Sequence, residues 1–79
     1  MTAPRDVPIR EATIRLGQLL KLAGLAASGS EARSLVQDGA VTVNDEVELR
    51  RGRQLRHDDV VAVAGEVVRV TVRSPASAG

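Results

Sequence analysis

The spacing of apolar residues changes at Gly39, and this change predicts that two helices precede a small sheet. Before Gly39, apolar residues recur at intervals of three and four positions, which is the period of a helix with one buried face. After Gly39, apolar and polar residues alternate, as they do in strands that cover a core. Seventy-nine residues form only one small core. The sequence therefore predicts a single α+β domain with two short helices and a small sheet.

Two helices are predicted in the first half of the chain. The first covers residues 16–23, where an apolar stripe ends at Gly24, a residue suited to a left-handed C-cap. The second begins at Ser28, because Ser28 and Glu31 have the spacing of a capping box. In that motif, each side chain accepts a hydrogen bond from the other residue's backbone amide. The second helix is expected to end at Gly39.

Polar side chains occupy the opposite faces of both predicted helices. Gln18 and Lys21 lie opposite the apolar stripe of the first helix. The second helix has a continuous polar stripe, formed by Ser30, Arg33, Ser34 and Gln37. Because the apolar stripes pack inward, we expect these polar faces to be exposed and able to form a binding surface.

The second half of the chain predicts a hairpin and two further strands. The hairpin pairs residues 41–43 with residues 47–49 across a turn at Asn44 and Asp45. The further strands are predicted over residues 60–64 and 67–72. All of these segments are short, so we expect a small sheet.

Both ends of the chain are predicted to lie outside the domain. Residues 1–12 contain prolines and mixed charges, and we expect them to form a flexible leader, although the stretch 10–16 could supply an edge strand. Residues 74–79 are small and have no anchoring side chain, so we expect a disordered tail. The domain is then expected to cover residues 13–73.

The amino-acid composition excludes several kinds of functional site. With no cysteine and only His57 as a histidine, we expect no catalytic residue, metal or cofactor. The absence of Phe, Tyr and Trp excludes RNA-binding modules that stack bases on aromatic rings. No apolar run approaches the roughly 20 residues of a membrane span, and the N-terminus lacks the apolar core of a signal peptide. We therefore expect a cytoplasmic protein that does not bind membranes.

Positive charge is concentrated in one part of the chain. The net charge is only +1, so attraction to a polyanion has to come from a local cluster. Residues 50–56, which we name the arginine segment, contain four arginines and no acid, while five acids flank them. The segment could bind phosphates, with an affinity that falls steeply as salt rises. It could equally be a solvated loop whose arginines pair with those acids, at about 0–1 kcal/mol per pair.

An ordered set of residues resembles the motif of the S4 RNA-binding domain, a family named after a small-subunit ribosomal protein. The set consists of Arg15-Leu16, Leu20, Ser28, Ala32-Arg33, Val36, Gly39, Val41 and Val43-Asn44. Further residues, at 20–24 and 48–51, are similar to those of the small stand-alone bacterial S4 proteins. The resemblance covers residues 13–70, which is nearly the whole predicted domain.

The resemblance implies both a fold and a binding surface. The S4-like (αL-type) fold has two short antiparallel helices packed on a small, bent, mainly antiparallel sheet. It contacts RNA through one face of the helical pair and the adjoining loop. On this sequence the implied RNA-binding residues are Lys21, Ser30, Arg33, Gln37, Asn44, Arg50, Arg51 and Arg53. The family motif usually has an aspartate and a second basic residue where this chain has Gly17 and Gly29, which implies a less charged helical face.

Resemblance and composition together predict a non-catalytic RNA-binding protein. The expected partner is structured RNA, either ribosomal RNA or another helical or junction RNA, bound by a monomer through phosphates and shape. The ribosome or a ribosomal precursor is included in that expectation. The alternative is an interaction or ribosome-assembly factor that presents the same arginine-rich surface to an acidic protein. S4-like domains also accompany enzymes such as tyrosyl-tRNA synthetases, but their catalytic domains do not fit within 79 residues.

Overall fold

The computed structural model describes residues 3–72. Its elements follow one another in the order β1 (Arg5–Ile9), β2 (Thr13–Arg15), α1 (Leu16–Leu22), α2 (Gly29–Gln37), β3 (Val41–Val43), β4 (Glu46–Val47), β5 (Gln54–Arg56), β6 (Val60–Val63) and β7 (Glu66–Val72). The strands β1, β7, β6, β3 and β4 form a sheet in that order, and β2 pairs with β5 in a second sheet. Among the described strands, only β1 and β7 pair in parallel. The predicted α+β fold with two helices on a mainly antiparallel sheet is confirmed.

The core is aliphatic and joins both helices to the larger sheet. The helices contribute Leu16, Leu19, Leu20, Ala32 and Val36, all of them buried. On the sheet, Val61 of β6 lies opposite Val43 on one side and Val68 on the other, and all three valines are buried. Each fully buried Val or Leu contributes about 1.5–3 kcal/mol relative to an exposed one. This core determines which face of each helix remains exposed.

The N-terminal boundary differs from the prediction. Residues Arg5–Ile9 form β1, in which Val7 lies opposite Val70 in the parallel pairing with β7. Val7 and Ile9 are buried, whereas Pro8 between them is exposed. Proline is compatible with an edge strand because only one side of that strand needs hydrogen bonds. The expectation of a flexible leader over residues 1–12 is therefore wrong for residues 5–9, and the predicted tail at 74–79 lies outside the described residues.

The helix ends follow the capping signals with one exception. Gly24 has a φ of +76°, which is the left-handed conformation expected after α1. The Ser28 hydroxyl accepts a hydrogen bond from the Glu31 amide at 3.1 Å, as predicted. The Glu31 carboxylate, however, accepts from the amide of Ala27 at 3.1 Å rather than from that of Ser28. Within residues 3–72, neither helix is long and apolar enough to cross a membrane.

A small two-stranded sheet lies beside the start of α1. Its first strand, Thr13–Arg15, is the edge strand that the stretch 10–16 could supply. Its second strand, Gln54–Arg56, lies inside the arginine segment and was not predicted. In the sequence, Leu55 is the only apolar residue of this strand. It is fully buried, whereas its two polar neighbours are exposed. A single apolar residue among arginines does not establish a period of two.

The predicted hairpin is present with a shorter second strand. Asn44 and Asp45 both have positive φ, at 52° and 71°, as the two central residues of a tight hairpin turn require. The strand after the turn covers only Glu46–Val47, whereas residues 47–49 were expected. The Glu48 amide still donates to the Val41 carbonyl of β3 at 3.0 Å, while the Glu48 side chain is buried and makes the contacts described below.

Candidate functional site

A groove of about 280 Å³ lies between α1, the start of α2 and the loop after β4. It is lined by Arg15, Gly17, Gln18, Lys21, Gly29, Ala32, Arg51 and Gly52. Three of these residues are cations, and none is an acid. Within residues 3–72, no carboxylate forms an ion pair with Arg15, Lys21 or Arg51. The groove therefore presents uncompensated positive charge to the solvent.

Helix α1 supplies one wall of the groove because of its amphipathic sequence. Its apolar residues are buried in the core, so Gln18 and Lys21, three positions apart, are turned outward as predicted. Arg15 lies three positions before Gln18, at the junction of β2 and α1. The three side chains consequently follow one another along the same wall.

The loop of residues 50–53 forms the opposite wall by docking on the start of α1. The Leu16 amide donates a hydrogen bond to the Arg53 carbonyl at 2.8 Å, and the Gly17 amide donates to the Arg51 carbonyl at 3.0 Å. The first amides of a helix have no partner within the helix, and the N-cap residue Arg15 supplies no side-chain bond. The loop carbonyls meet this requirement, and the docking places Arg51 against the groove.

Gly17 allows the close approach between this loop and α1. A Cβ atom at position 17 would lie 2.7 Å from Cγ and 3.2 Å from Cδ of Arg51. Any larger side chain would therefore push away the aliphatic stem of Arg51. The sequence suggested only that Gly17 removes a charge, whereas the structure shows that it leaves space for a cation.

Arg50 and Arg53 have a different environment from Arg51. The Glu48 carboxylate accepts from Nη1 of Arg53 at 2.9 Å, and from the backbone amide and Nε of Arg50 at 3.0 and 3.3 Å. The Arg53 hydrogen bond is the main reason why the pKa of Glu48 falls from 4.5 to about 2; burial opposes the shift, and the bonds from Arg50 add to it. For these two arginines, the structure thus agrees with the interpretation that the segment's arginines pair with neighbouring acids.

The α2 residues lie beside the groove rather than in its lining. Ser30, Arg33 and Gln37 are exposed, as predicted. At 100° per residue, Arg33 is one turn beyond Gly29 and closest to the groove, while Ser30 and Gln37 are rotated further away. The structure thus brings Lys21 and Arg51 together in the groove lining, which includes neither Ser30, Arg33 nor Gln37. By helical periodicity, Arg33 is the nearest of these three to the groove.

Both the nitrogen and the oxygen of the Asn44 side-chain amide form hydrogen bonds within the protein. Its amide nitrogen donates to Asp59 at 3.1 Å, and its amide oxygen accepts from the Val60 backbone at 3.0 Å. These bonds attach the hairpin turn to the start of β6. Asn44 does not line the groove.

Two polar residues of the groove were missed as contacts. Arg15 belongs to the set of residues that resembles the S4 motif and Gln18 to the polar face of α1, but the resemblance implied neither as an RNA contact. The available signal was the regular spacing of Arg15, Gln18 and Lys21, each three positions from the next. This spacing alone does not predict the groove, because Arg15 lies before the predicted helix and its position relative to α1 depends on β2.

Comparisons with known proteins identify relatives over most of the chain. The family model described as S4 domain matches residues 7–71. The probable ribosome maturation protein RlbA of Bacillus subtilis (strain 168) is 48% identical over 52 residues, which cover 66% of this chain and 73% of that protein. The tyrosine–tRNA ligase of Nitrosomonas europaea is 48% identical over 46 residues, but these are only 11% of that enzyme.

Solved structures show the same fold. The solution structure of YbcJ from E. coli, described as having an αL motif involved in RNA binding, superposes with a TM-score of 0.68 at 29% identity, covering 90% of this chain and 91% of that one. The 30S ribosomal protein S4e of Thermoplasma acidophilum superposes with a TM-score of 0.59 at 20% identity, covering 76% and 32%. The second likeness is one of fold alone.

Proposed function

Because the chain belongs to the S4 domain family, we propose that it binds structured RNA and that the groove is the contact surface. The observation that carries the proposal is the convergence of Arg15, Lys21 and Arg51 on one groove without a carboxylate among its lining residues. Guanidinium and ammonium groups donate strong, charge-assisted hydrogen bonds to phosphate oxygens. Three such groups in an open groove suit a bent or folded RNA backbone.

Recognition by this surface depends on phosphates, 2′-hydroxyls and shape. The sequence has no aromatic ring on which a base could stack. Gln18, which lies between Arg15 and Lys21 in sequence, has both a donor and an acceptor for a 2′-hydroxyl group. Sequence preference is therefore low, and double-stranded or junction RNA is preferred over a flexible single strand.

The proposed target is ribosomal RNA or one of its precursors. This part of the proposal is supported by the similarity to the Bacillus protein, which is described as a probable ribosome maturation protein. We take the chain to act as a cytoplasmic monomer without catalytic activity. The activity of the tyrosine–tRNA ligase is not extended to this chain, because the match covers a small part of that enzyme.

The experiment is an anisotropy titration of fluorescent ribosomal RNA hairpins and junctions with the whole protein at about 50 and about 200 mM salt. Lys21→Ala and Arg51→Ala are expected to weaken binding by about 3- to 10-fold each, and each lost phosphate contact lowers the salt slope by about 0.7–0.9. Arg69→Ala is the matched control, since it removes the same charge from an exposed residue of β7 that pairs with Asp6.

Two results would contradict the proposal. Binding that is insensitive to salt and to both groove substitutions would exclude the groove as the RNA surface. Capture of an acidic protein that survives nuclease treatment, together with no binding of any structured RNA, would favour the interaction-factor alternative.

A further inference from the structure

Glu48 is the only charged residue that is buried among residues 3–72, with 7% of its surface exposed. A buried carboxylate is costly unless hydrogen bonds replace the lost water. The side-chain hydrogen bonds of Glu48 all go to one loop: to the amide and Nε of Arg50 and to Nη1 of Arg53. The buried carboxylate of Glu48 is therefore stabilised by the loop of residues 50–53.

The same loop is attached to α1 at its other side. The carbonyls of Arg51 and Arg53 accept from the first amides of α1, and the Arg53 amide donates to the Arg50 carbonyl at 3.2 Å, which closes the turn. Arg51 and Gly52 lie between these attachments and line the groove. Arg51 makes no bond to Glu48 itself, but its backbone is held on both sides by residues that do.

We propose that Glu48 is a positioning residue, whose carboxylate holds the loop of residues 50–53 on α1 so that Arg51 faces the groove. The proposal rests on the proposed function, because the benefit of this arrangement is RNA affinity. It also assigns Arg50 and Arg53 a different role from the one implied by the family resemblance. They act mainly as donors to Glu48, and Arg51 contacts the RNA.

Whether a charge substitution at Glu48 raises or lowers the RNA affinity distinguishes this positioning role from a purely electrostatic effect. Removing a negative charge near a cationic groove should by itself strengthen the binding of RNA. If Glu48 positions Arg51, the same removal should weaken binding, because the loop loses its attachment. The two explanations thus predict opposite effects for Glu48→Gln, a substitution that keeps size and one carbonyl acceptor.

The matched control is Glu46→Gln, which makes the same charge change at an exposed residue of β4. We expect Glu46→Gln to leave RNA affinity unchanged or to raise it up to about 2-fold, and Glu48→Gln to lower it by about 5-fold at equal salt. Equal or tighter binding by Glu48→Gln would overturn the proposal. Arg53→Lys is a second variant for the case of poor folding; it keeps the charge but loses the fork geometry, and we expect about 2- to 3-fold weaker binding.

A double-mutant cycle tests whether Glu48 acts through Arg51. In an Arg51→Ala background, Glu48→Gln should cause no additional loss of affinity, because the positioned side chain is already absent. A loss of the same factor in both backgrounds would show that Glu48 only supports the fold, and it would overturn the proposal.

Amide exchange gives a readout that does not depend on RNA. Glu48→Gln should reduce protection of the Leu16 and Gly17 amides, which donate to the loop, whereas Glu46→Gln should leave it unchanged. Unchanged protection in Glu48→Gln would overturn the positioning role even if RNA binds. If the wild-type protein binds none of the RNAs, the proposed function fails, and amide exchange still decides whether Glu48 holds the loop.

Discussion

Arg51 and Arg53 are two residues apart in one loop, yet their surroundings differ completely. Arg53 is half-buried and donates to the buried carboxylate of Glu48, whereas Arg51 lies over Gly17 and lines the groove. Their sequence neighbourhood is equally basic. The position of an arginine in a basic run therefore does not determine its role. The nearest carboxylate, and the backbone that this carboxylate anchors, determine it.

The largest expected difference between the two arginines comes from charge reversal. Arg51→Glu should weaken binding of structured RNA by about 30- to 100-fold, because it replaces an attraction to phosphate with a repulsion. Thermal melting should show little change, since Arg51 makes no ion pair within residues 3–72. Titration and melting of the same samples provide the measurement, with Arg69→Glu as control. Equal losses for both substitutions would remove the distinction between groove and surface.

The hydrogen bonds that Glu48 accepts from Arg50 and Arg53 should make the stability of the fold depend on pH. The pKa of Glu48 is lowered in the folded state from 4.5 to about 2. Its stabilising effect is therefore complete above pH 4.5 and is lost as the pH falls towards 2. We expect the unfolding free energy of the wild type to exceed that of Glu48→Gln by about 1 kcal/mol at neutral pH. This difference is smaller than the pKa shift alone would imply, because water screens the largely exposed Arg50.

Urea titrations at several pH values measure this difference. The gap between the wild type and Glu48→Gln should close as the pH is lowered through that interval, while Glu46→Gln should follow the wild type. A gap that stays constant down to pH 2 would mean that the pairing with Arg50 and Arg53 does not stabilise the fold.

Adding a cation to the groove should increase RNA affinity. A Cβ atom placed at Gly29 meets no atom within 4 Å, and Gly29 lines the groove. Gly29→Arg should therefore add a cation to the groove and strengthen RNA binding by about 3- to 5-fold, with a salt slope steeper by about 0.7–0.9. The control is Ser34→Arg, on the exposed face of α2 and outside the groove lining. A similar gain from Ser34→Arg would show that net charge rather than location matters.

The smallest effect is expected at the glycine beneath Arg51. Gly17→Ala should weaken RNA binding by about 2- to 3-fold, because its methyl group displaces the Arg51 stem. Alanine is favoured over glycine in a helix by up to about 1 kcal/mol, so the unfolding free energy should not fall. Affinity and urea stability measured together test this separation. Unchanged affinity would mean that Arg51 reaches the RNA from more than one position.

The sequence predicted the parts of the fold that depend on local signals. The capping serine at Ser28, the left-handed glycines and the turn at Asn44 and Asp45 are local features, and all were found as expected. The strands β1 and β5 were missed because each depends on a distant partner. Val7 and Ile9 alternate over only a few residues, and their burial arises from β7 at the other end of the domain.

The candidate site was predictable only in part for the same reason. Helical spacing indicated that Lys21 and Arg33 would be exposed, and the basic run drew attention to Arg51. Spacing could not show that Glu48 turns inward and takes Arg50 and Arg53 as partners. That arrangement depends on a backbone path in which the second strand of the hairpin ends at Val47, two residues before the end that the alternation suggested.

The parallel pairing of β1 with β7 has a consequence for how the protein is made. Asp6 and Arg69, which bond across these strands, are 63 positions apart. When the chain emerges from the N-terminus onwards, β1 is synthesised first but has no partner until the final strand is released. We therefore expect the helices and the hairpins to assemble early, with β1 joining the sheet as a late step, since distant pairings carry the largest loop-closure entropy.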